Sequence, residues 1–219
     1  MVGRGRSIQG VFFVTRLDFF FDPGCPWCWI TSRWLRDVAP HRDLDVRWRT
    51  FSLHEKNILR ADSPPEVSDE RRARGEAGHR ALRIAEAVRA ADGESAVDAL
   101  YLELGRRIHH DGDKMPDLVS VVAAAGLDPA RAAAADDPAW DGVLSASMDE
   151  ALDAVGFDVG VPLLVFEDGR GFFGPVVSPK PTGDAALELF DAVRTLATHP
   201  GLSELKRGRD TGPDVGERP

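Results

Sequence analysis

Leu17, Phe19 and Phe21 stand at alternate positions between residues 14 and 21, and Asp22-Pro23-Gly24 follows at once. A period of two closed by turn-forming residues predicts a strand that delivers the chain into a tight turn. From Pro26 the pattern changes. Ile30, Trp34 with Leu35, and Val38 recur at helical spacing as far as Ala39, and Pro40 lies just past the predicted end. Residues 44–53, with Leu44, Val46 and Trp48 on one face and charged residues between them, predict a second strand. Strand, helix and strand in this order are the beginning of an α/β sheet.

Asp62-Ser63-Pro64-Pro65 opens a regime rich in Ala, Arg and Glu, and no convincing strand occurs before about residue 157. Ala77, Ala81, Ile84 and Val88 form one helical stripe. Val97, Tyr101, Leu104 and Ile108 form another beyond Asp92-Gly93, and the pattern resumes over residues 115–125 and 140–155. Apolar faces must be buried whatever the function, so these stripes are read as core. An apolar run over 161–166, a turn at Asp168-Gly169 and a returning segment over 171–177 predict a hairpin. Residues 183–197 predict a last helix with Ala186, Leu189, Phe190 and Val193 inward. Beyond His199, Gly, Pro and charge predict loose order. The expected architecture is α/β, with residues 1–62 and 159–219 forming one domain and 63–158 a helical insertion.

With 219 residues, 43% of them hydrophobic, the chain can bury a full core without a disulfide scaffold. A net charge of -9, from 27 Lys and Arg against 36 Asp and Glu, argues against a nucleic-acid or anionic-membrane partner. Near the start, Arg4 and Arg6 precede an apolar run over residues 11–14 that is too short for a signal peptide. The chain has no stretch of 18 consecutive apolar residues. The expectation is a reducing cytoplasm in which the cysteines rest as thiols.

Both cysteines of the chain fall in Cys25-Pro26-Trp27-Cys28, between the first predicted strand and the first helix. Two intervening residues let a thiolate on the first turn reach a partner one turn on, so the pair can close and open a disulfide. At a helix N-terminus, unpaired N–H groups and the positive end of the dipole favour thiolate over thiol. In such motifs the thiol pKa drops from about 8.5 into a range of roughly 3.5 to 7.5. Cys25 is the expected nucleophile and Cys28 the resolving thiol. Pro26 suits the first helical turn, where a missing N–H costs little. Trp27 is placed to form a flat apolar wall for an aromatic substrate, or else packs on a neighbouring loop. Trp29 and Trp34 are read as core.

A structural zinc site would need about four ligands. His109 and His110 are adjacent, while His41, His54, His79 and His199 are scattered, so no metal is expected and each isolated histidine is read as a surface or helix-terminal residue. The arginines between residues 71 and 89 alternate with Glu76 and Glu86. They read as a solvated, ion-paired face, with a patch for an anionic or polyol thiol cofactor as the second reading.

The order of these pieces resembles the DsbA-like branch of the thioredoxin superfamily, and more closely the mycothiol-dependent nitroreductase family of actinobacteria. The stretches that carry the resemblance are Phe21-Asp22-Pro23, the ten residues from Cys25 to Trp34, Arg107-Ile108-His109, Asp153-Ala154-Val155-Gly156, Phe172-Phe173-Gly174-Pro175 and Glu204-Leu205-Lys206-Arg207. The resemblance implies a thioredoxin-like fold with a helical insertion over the cysteines. It also implies a cytosolic, flavin-free thiol oxidoreductase with no tightly bound cofactor, acting on nitroaromatic or other electrophilic small molecules. Its dithiol would be restored by mycothiol, another low-molecular-weight thiol or a mycoredoxin-type protein. By the same resemblance Cys25 attacks, Cys28 resolves, Trp27 lines the substrate pocket and Asn57 contacts substrate. The loop at Val161-Pro162 would sit against the cysteines with its proline cis and its backbone groups turned to substrate. Val161 stands where the family usually has Thr, and the aromatic Tyr expected shortly after Asn57 is missing, the chain's one tyrosine being Tyr101.

Two other readings use the same residues. An isomerase or thiol transferase like the hydroxychromene carboxylate isomerases would bind a thiol without disulfide cycling, leaving Cys28 dispensable. A non-catalytic redox-sensing binding protein would use the dithiol only to change shape. The sequence leaves the substrate, the direction of electron flow and the number of subunits open.

Overall fold

The computed structural model describes residues 14–61 and 66–219. The opening stretch with Arg4 and Arg6, and the 62/63 boundary with its Ser63-Pro64-Pro65, lie outside the described residues. Strand β1 (Thr15–Phe21) is followed by helix α1 (Pro26–Arg42) and strand β2 (Leu44–Thr50), which pairs parallel to β1 from Thr15↔Leu44 to Phe21↔Thr50. Helices α2 (Asp69–Asp92), α3 (Glu94–Gly105), α4 (Leu118–Ala124) and α5 (Asp141–Val155) come next. Strands β3 (Leu163–Phe166) and β4 (Gly171–Phe173) and helix α6 (Gly183–Ala197) complete the chain. The sheet order is β2-β1-β3-β4, with β3 antiparallel to β1 and β4 antiparallel to β3.

Because β1 has strands on both sides and helices over its faces, Phe20 is buried along with Leu17, Phe19 and Phe21, beyond what alternation alone predicts. Asp18 and Arg47 lie opposite each other in register and form an ion pair across the two strands. The free edge of β2 is closed by the α2–α3 junction: the Trp48 N–H donates to the Glu94 carboxylate at 3.0 Å and Arg89 donates to the Trp48 carbonyl. That arrangement covers an edge that would otherwise invite another strand. The stripe residues Ala81, Ile84, Val88, Val97, Tyr101, Leu104 and Ile108 are buried, and α6 matches its predicted span.

Several expectations are corrected. Helix α1 runs through Pro40 to Arg42 and stops at Asp43, whose φ of 47° is left-handed. One backbone bond lost in the last turn is tolerated there. Strand β2 ends at Thr50 rather than at residue 53. Strand β4 ends at Phe173 rather than at residue 177, because Gly174 has a φ of 105° and is followed by a cis proline, Pro175, which has no N–H for a ladder. Helix α4 starts only after the Asp117 cap, with Met115 outside it and exposed. The segment beyond His199 forms neither helix nor strand, yet it is tied down. Ser178 Oγ donates to the Gly212 carbonyl and accepts from the Asp214 N–H, Arg218 pairs with both oxygens of Asp111, and Arg106 donates to the Pro219 carbonyl.

Among the described residues, no helix is long and apolar enough to cross a membrane.

Candidate active site

Cys25 is the N-cap of α1. Its backbone is extended (φ -85°, ψ 112°), Pro26 takes the first helical position, and Cys25 Sγ accepts the Cys28 N–H at 3.4 Å. Both cysteines are unbonded thiols in this structure, and both are buried, Cys25 with 7% of its surface exposed and Cys28 with none. The Cys25 thiol donates to the Val161 carbonyl at 3.6 Å, across the join between α1 and the start of β3. The Val161-Pro162 bond is cis. The Pro162 carbonyl accepts the Gly174 N–H at 2.8 Å, so in the reduced state both carbonyls of this loop have partners inside the protein.

The two thiols are driven apart in acidity. Cys25 is lowered from the ordinary thiol value, first by the hydrogen bond from the Cys28 side chain and then by the N–H groups of Cys28 and Trp27, with burial and the Asp22 charge opposing. Cys28 is raised well above the ordinary value, first by burial and then by its neighbour. One sulfur is thus made nucleophilic while the other holds the proton.

The turn that presents Cys25 is held by Asp22. Its Oδ1 accepts the Gly24 N–H at 2.8 Å, its Oδ2 accepts the Leu53 N–H at 2.9 Å, and its carbonyl accepts the Cys25 N–H. Burial raises the Asp22 carboxyl, although these two N–H groups pull the other way. Sequence reading takes Asp22 only as a turn former. The alternation of Phe19 and Phe21 up to it is the signal that its side chain ends a buried strand.

The histidine expectation is corrected. His54 and His79 are buried: His79 bonds to Ser52 Oγ at 2.9 Å and to Asp141 Oδ1 at 3.1 Å, and the His54 ring faces it at 5.9 Å. His109 and His110 belong to a π-helical turn over Arg106–His110 that closes around Trp29. The Trp29 indole N–H donates to His110 Nε2 at 2.9 Å, and the His109 ring stacks on Trp29 at 5.8 Å. His109 Nε2 lies 2.9 Å from the Pro23 carbonyl, and burial lowers its pKa to about 4. At neutral pH His109 is therefore uncharged with the proton on Nε2, donating to the turn before Cys25. The Arg33 guanidinium carbon also lies over Trp29, 4.2 Å from the ring centre. Trp29 and Trp34 are fully buried, and the Trp34 N–H donates to the Ala186 carbonyl.

Trp27 is half-buried and stands in the wall of a cleft of about 1750 Å³. The cleft runs between residues 153–159, the β4 strand with the loop beyond it, and the tail from His199 to Thr211. Phe157, Phe173 and Leu205 are exposed within it. Cys25, Pro26, Val161 and Pro162 are not part of its lining: Pro26 follows Cys25 in the first turn of α1, and the Val161 carbonyl meets the Cys25 thiol. Asn57 does not line the cleft: it is exposed on a separate π-helical turn over Glu55–Leu59. Arginines 74, 80, 83 and 89 are committed to Glu70, Asp136, Asp141 and the Glu86/Glu94 pair, most of them on other elements, which favours the ion-paired reading of that face.

Residues 24–207 match the family model described as Rv2466c-like, mycothiol-dependent nitroreductase Rv2466c. The chain belongs to the Rv2466c-like family. Within the curated proteins it is similar to the uncharacterized protein Rv2286c of Mycobacterium tuberculosis, at 36% identity over 202 residues that cover 89% of this chain and 82% of the relative. Among solved structures it resembles the cytosolic disulfide reductase DsbM from Pseudomonas aeruginosa with GSH, with a TM-score of 0.55 and 19% identity over 83% of this chain and all of that one. It also resembles the probable DsbA oxidoreductase SCO1869 from Streptomyces coelicolor, with a TM-score of 0.54 and 23% identity over 91% and 97% of the two chains. These likenesses show the DsbA-like thioredoxin fold with its helical insertion. Family membership and the dithiol at the α1 N-terminus make this Rv2466c-like chain a thiol–disulfide oxidoreductase.

Proposed function

We propose that this oxidoreductase is a cytoplasmic, mycothiol-dependent reductase of nitroaromatic or other electrophilic small molecules. The observation that carries the reading is the Cys25 sulfur at the N-cap of α1, accepting the Cys28 N–H beside the cis Val161-Pro162 bond, in a chain of the Rv2466c-like family. The Cys25 thiolate attacks a disulfide sulfur, breaking that S–S bond and releasing the other sulfur as a thiolate, or adds to an activated electrophilic centre; either way a covalent adduct forms at Cys25. Cys28 then attacks Cys25 Sγ, the bond from Cys25 Sγ to the adduct breaks, and the expelled group takes the proton that Cys28 gives up, leaving the two-electron-reduced product and the Cys25–Cys28 disulfide. Two equivalents of mycothiol return it to the dithiol through a mixed disulfide, and a mycoredoxin-type protein is the second candidate reductant.

In this reading Pro26, Trp27, Val161 and Pro162 form the substrate-facing surface, and no tightly bound cofactor takes part. Asn57 acts only on a substrate large enough to reach past the cleft. Residues 14–61 and 159–219 form the thioredoxin-like part, and the helices between them cover the dithiol. The test is reduction of a nitroaromatic probe by the purified protein with mycothiol as the electron source. Many turnovers per protein with mycothiol, and few with glutathione, support the reading. At most one stoichiometric oxidation of Cys25 and Cys28 defeats it.

A further inference from the structure

The tail that sequence patterning leaves loose carries a cation onto the ring of Trp27, next but one to Cys25 in the chain. The Arg209 guanidinium carbon lies 5.0 Å from the centre of the Trp27 ring. This residue stands outside the 24–207 stretch that matches the family. The chain around it is fixed from both sides. His199 takes the N–H groups of Gly201 and Leu202, and Ser178 ties down Gly212 and Asp214. Arg209 lines the same cleft as Trp27, and among the described residues it belongs to no ion pair of the protein.

We infer that Arg209 is a specificity-determining residue that draws anionic small molecules, carboxylate-bearing electrophiles, toward Cys25. The inference rests on Cys25 being the site's nucleophile. A guanidinium held over an aromatic ring by its charge and engaged in no ion pair has N–H groups left to offer, and its fork matches the paired oxygens of a carboxylate. The setting makes the charge matter. The protein as a whole carries -9, while Asp153, Asp158, Glu204 and Asp210 line the cleft together with Arg170, Lys206, Arg207 and Arg209, so the local sign depends on which side chain lies beside Trp27. Lys206 and Arg207 share the tail wall, but Arg209 is the one in contact with Trp27, two residues from the sulfur.

The test needs no knowledge of the substrate. Alkylation of Cys25 by iodoacetate, an anion, and by iodoacetamide, its neutral counterpart, is followed by mass spectrometry in the wild type, Arg209→Gln and Arg209→Lys at low ionic strength. The iodoacetate-to-iodoacetamide rate ratio is expected to fall about three- to fivefold in Arg209→Gln, to persist in Arg209→Lys, and to lose its dependence on residue 209 in high salt. An unchanged ratio overturns the inference. So does a rise of both rates by the same factor, which would make Arg209 a cover over the sulfur with no selectivity for charge. Sluggish alkylation of wild-type Cys25 by both reagents is a separate result that removes the nucleophile itself, and the role of Arg209 with it.

Discussion

Gly105, at the end of α3, lies against the six-membered ring of Trp29: a Cβ there would meet Cζ3 at 2.0 Å and Cε3 at 2.1 Å. The indole cannot retreat, because Arg33 covers one side and His110 holds its N–H. Gly105→Ala is therefore expected to destabilise the fold by about 2–3 kcal/mol, as overpacking of a rigid core does. Urea unfolding measures the loss, and the near-ultraviolet dichroism of Trp29 should change with it. A variant as stable as the wild type would mean that α3 can move away from Trp29.

His109 makes stability depend on pH. Its folded pKa of about 4 lies below the ordinary value of 6.5, so the unfolded chain takes up the proton first as pH falls. Its contribution is complete above about pH 6.5 and declines between 6.5 and 4, by up to about 3 kcal/mol. His110, lowered mainly by burial, acts in the same direction. Denaturant midpoints from pH 7 to 4 should fall for the wild type and fall less for His109→Phe. Parallel curves for the two proteins would contradict the assignment.

Asp22→Asn separates support from charge. The variant keeps an acceptor for one of the Gly24 and Leu53 N–H groups and leaves the other facing an amide donor, a loss of about 1–2 kcal/mol. At the same time the Asp22 charge that raises both thiols is gone, so the Cys25 pKa should drop further. Thiol titration alongside thermal unfolding checks the pair. A higher Cys25 pKa in Asp22→Asn would reverse the assigned sign.

Single cysteine variants divide the chemistry. Cys25→Ser should lose all turnover, because no other thiol reaches the N-cap position. Cys28→Ser should accumulate a mixed disulfide at Cys25, visible as added mass that a reductant removes. Full activity in Cys28→Ser would instead fit the isomerase-type use of a bound thiol without disulfide cycling.

The sequence carries the site's chemistry more plainly than its support. Cys25 and Cys28 are legible because spacing, Pro26 and the preceding strand all bear on one helix N-terminus, and α6 is legible because its apolar face is continuous. The edge strand β4 is overread, since Phe172-Phe173 looks like a strand that continues until Gly174 and Pro175 turn the chain away. The histidines are misread for a different reason. His54 and His79 are polar by type, and only tertiary contacts, Ser52 and Asp141 on His79 and the His79 ring beside His54, allow their burial. Arg209 has no local signal at all, because its contact with Trp27 joins residues from opposite ends of the chain.

The most direct test is the pH dependence of Cys25 alkylation in the reduced protein, with both cysteines mapped by mass spectrometry. A midpoint for Cys25 clearly below the ordinary thiol value of about 8.5, with Cys28 unmodified over the same range, is the expected result. Equal reactivity of the two thiols, or a Cys25 midpoint at or above about 8.5, would contradict a thiolate held at the start of α1 by its neighbour.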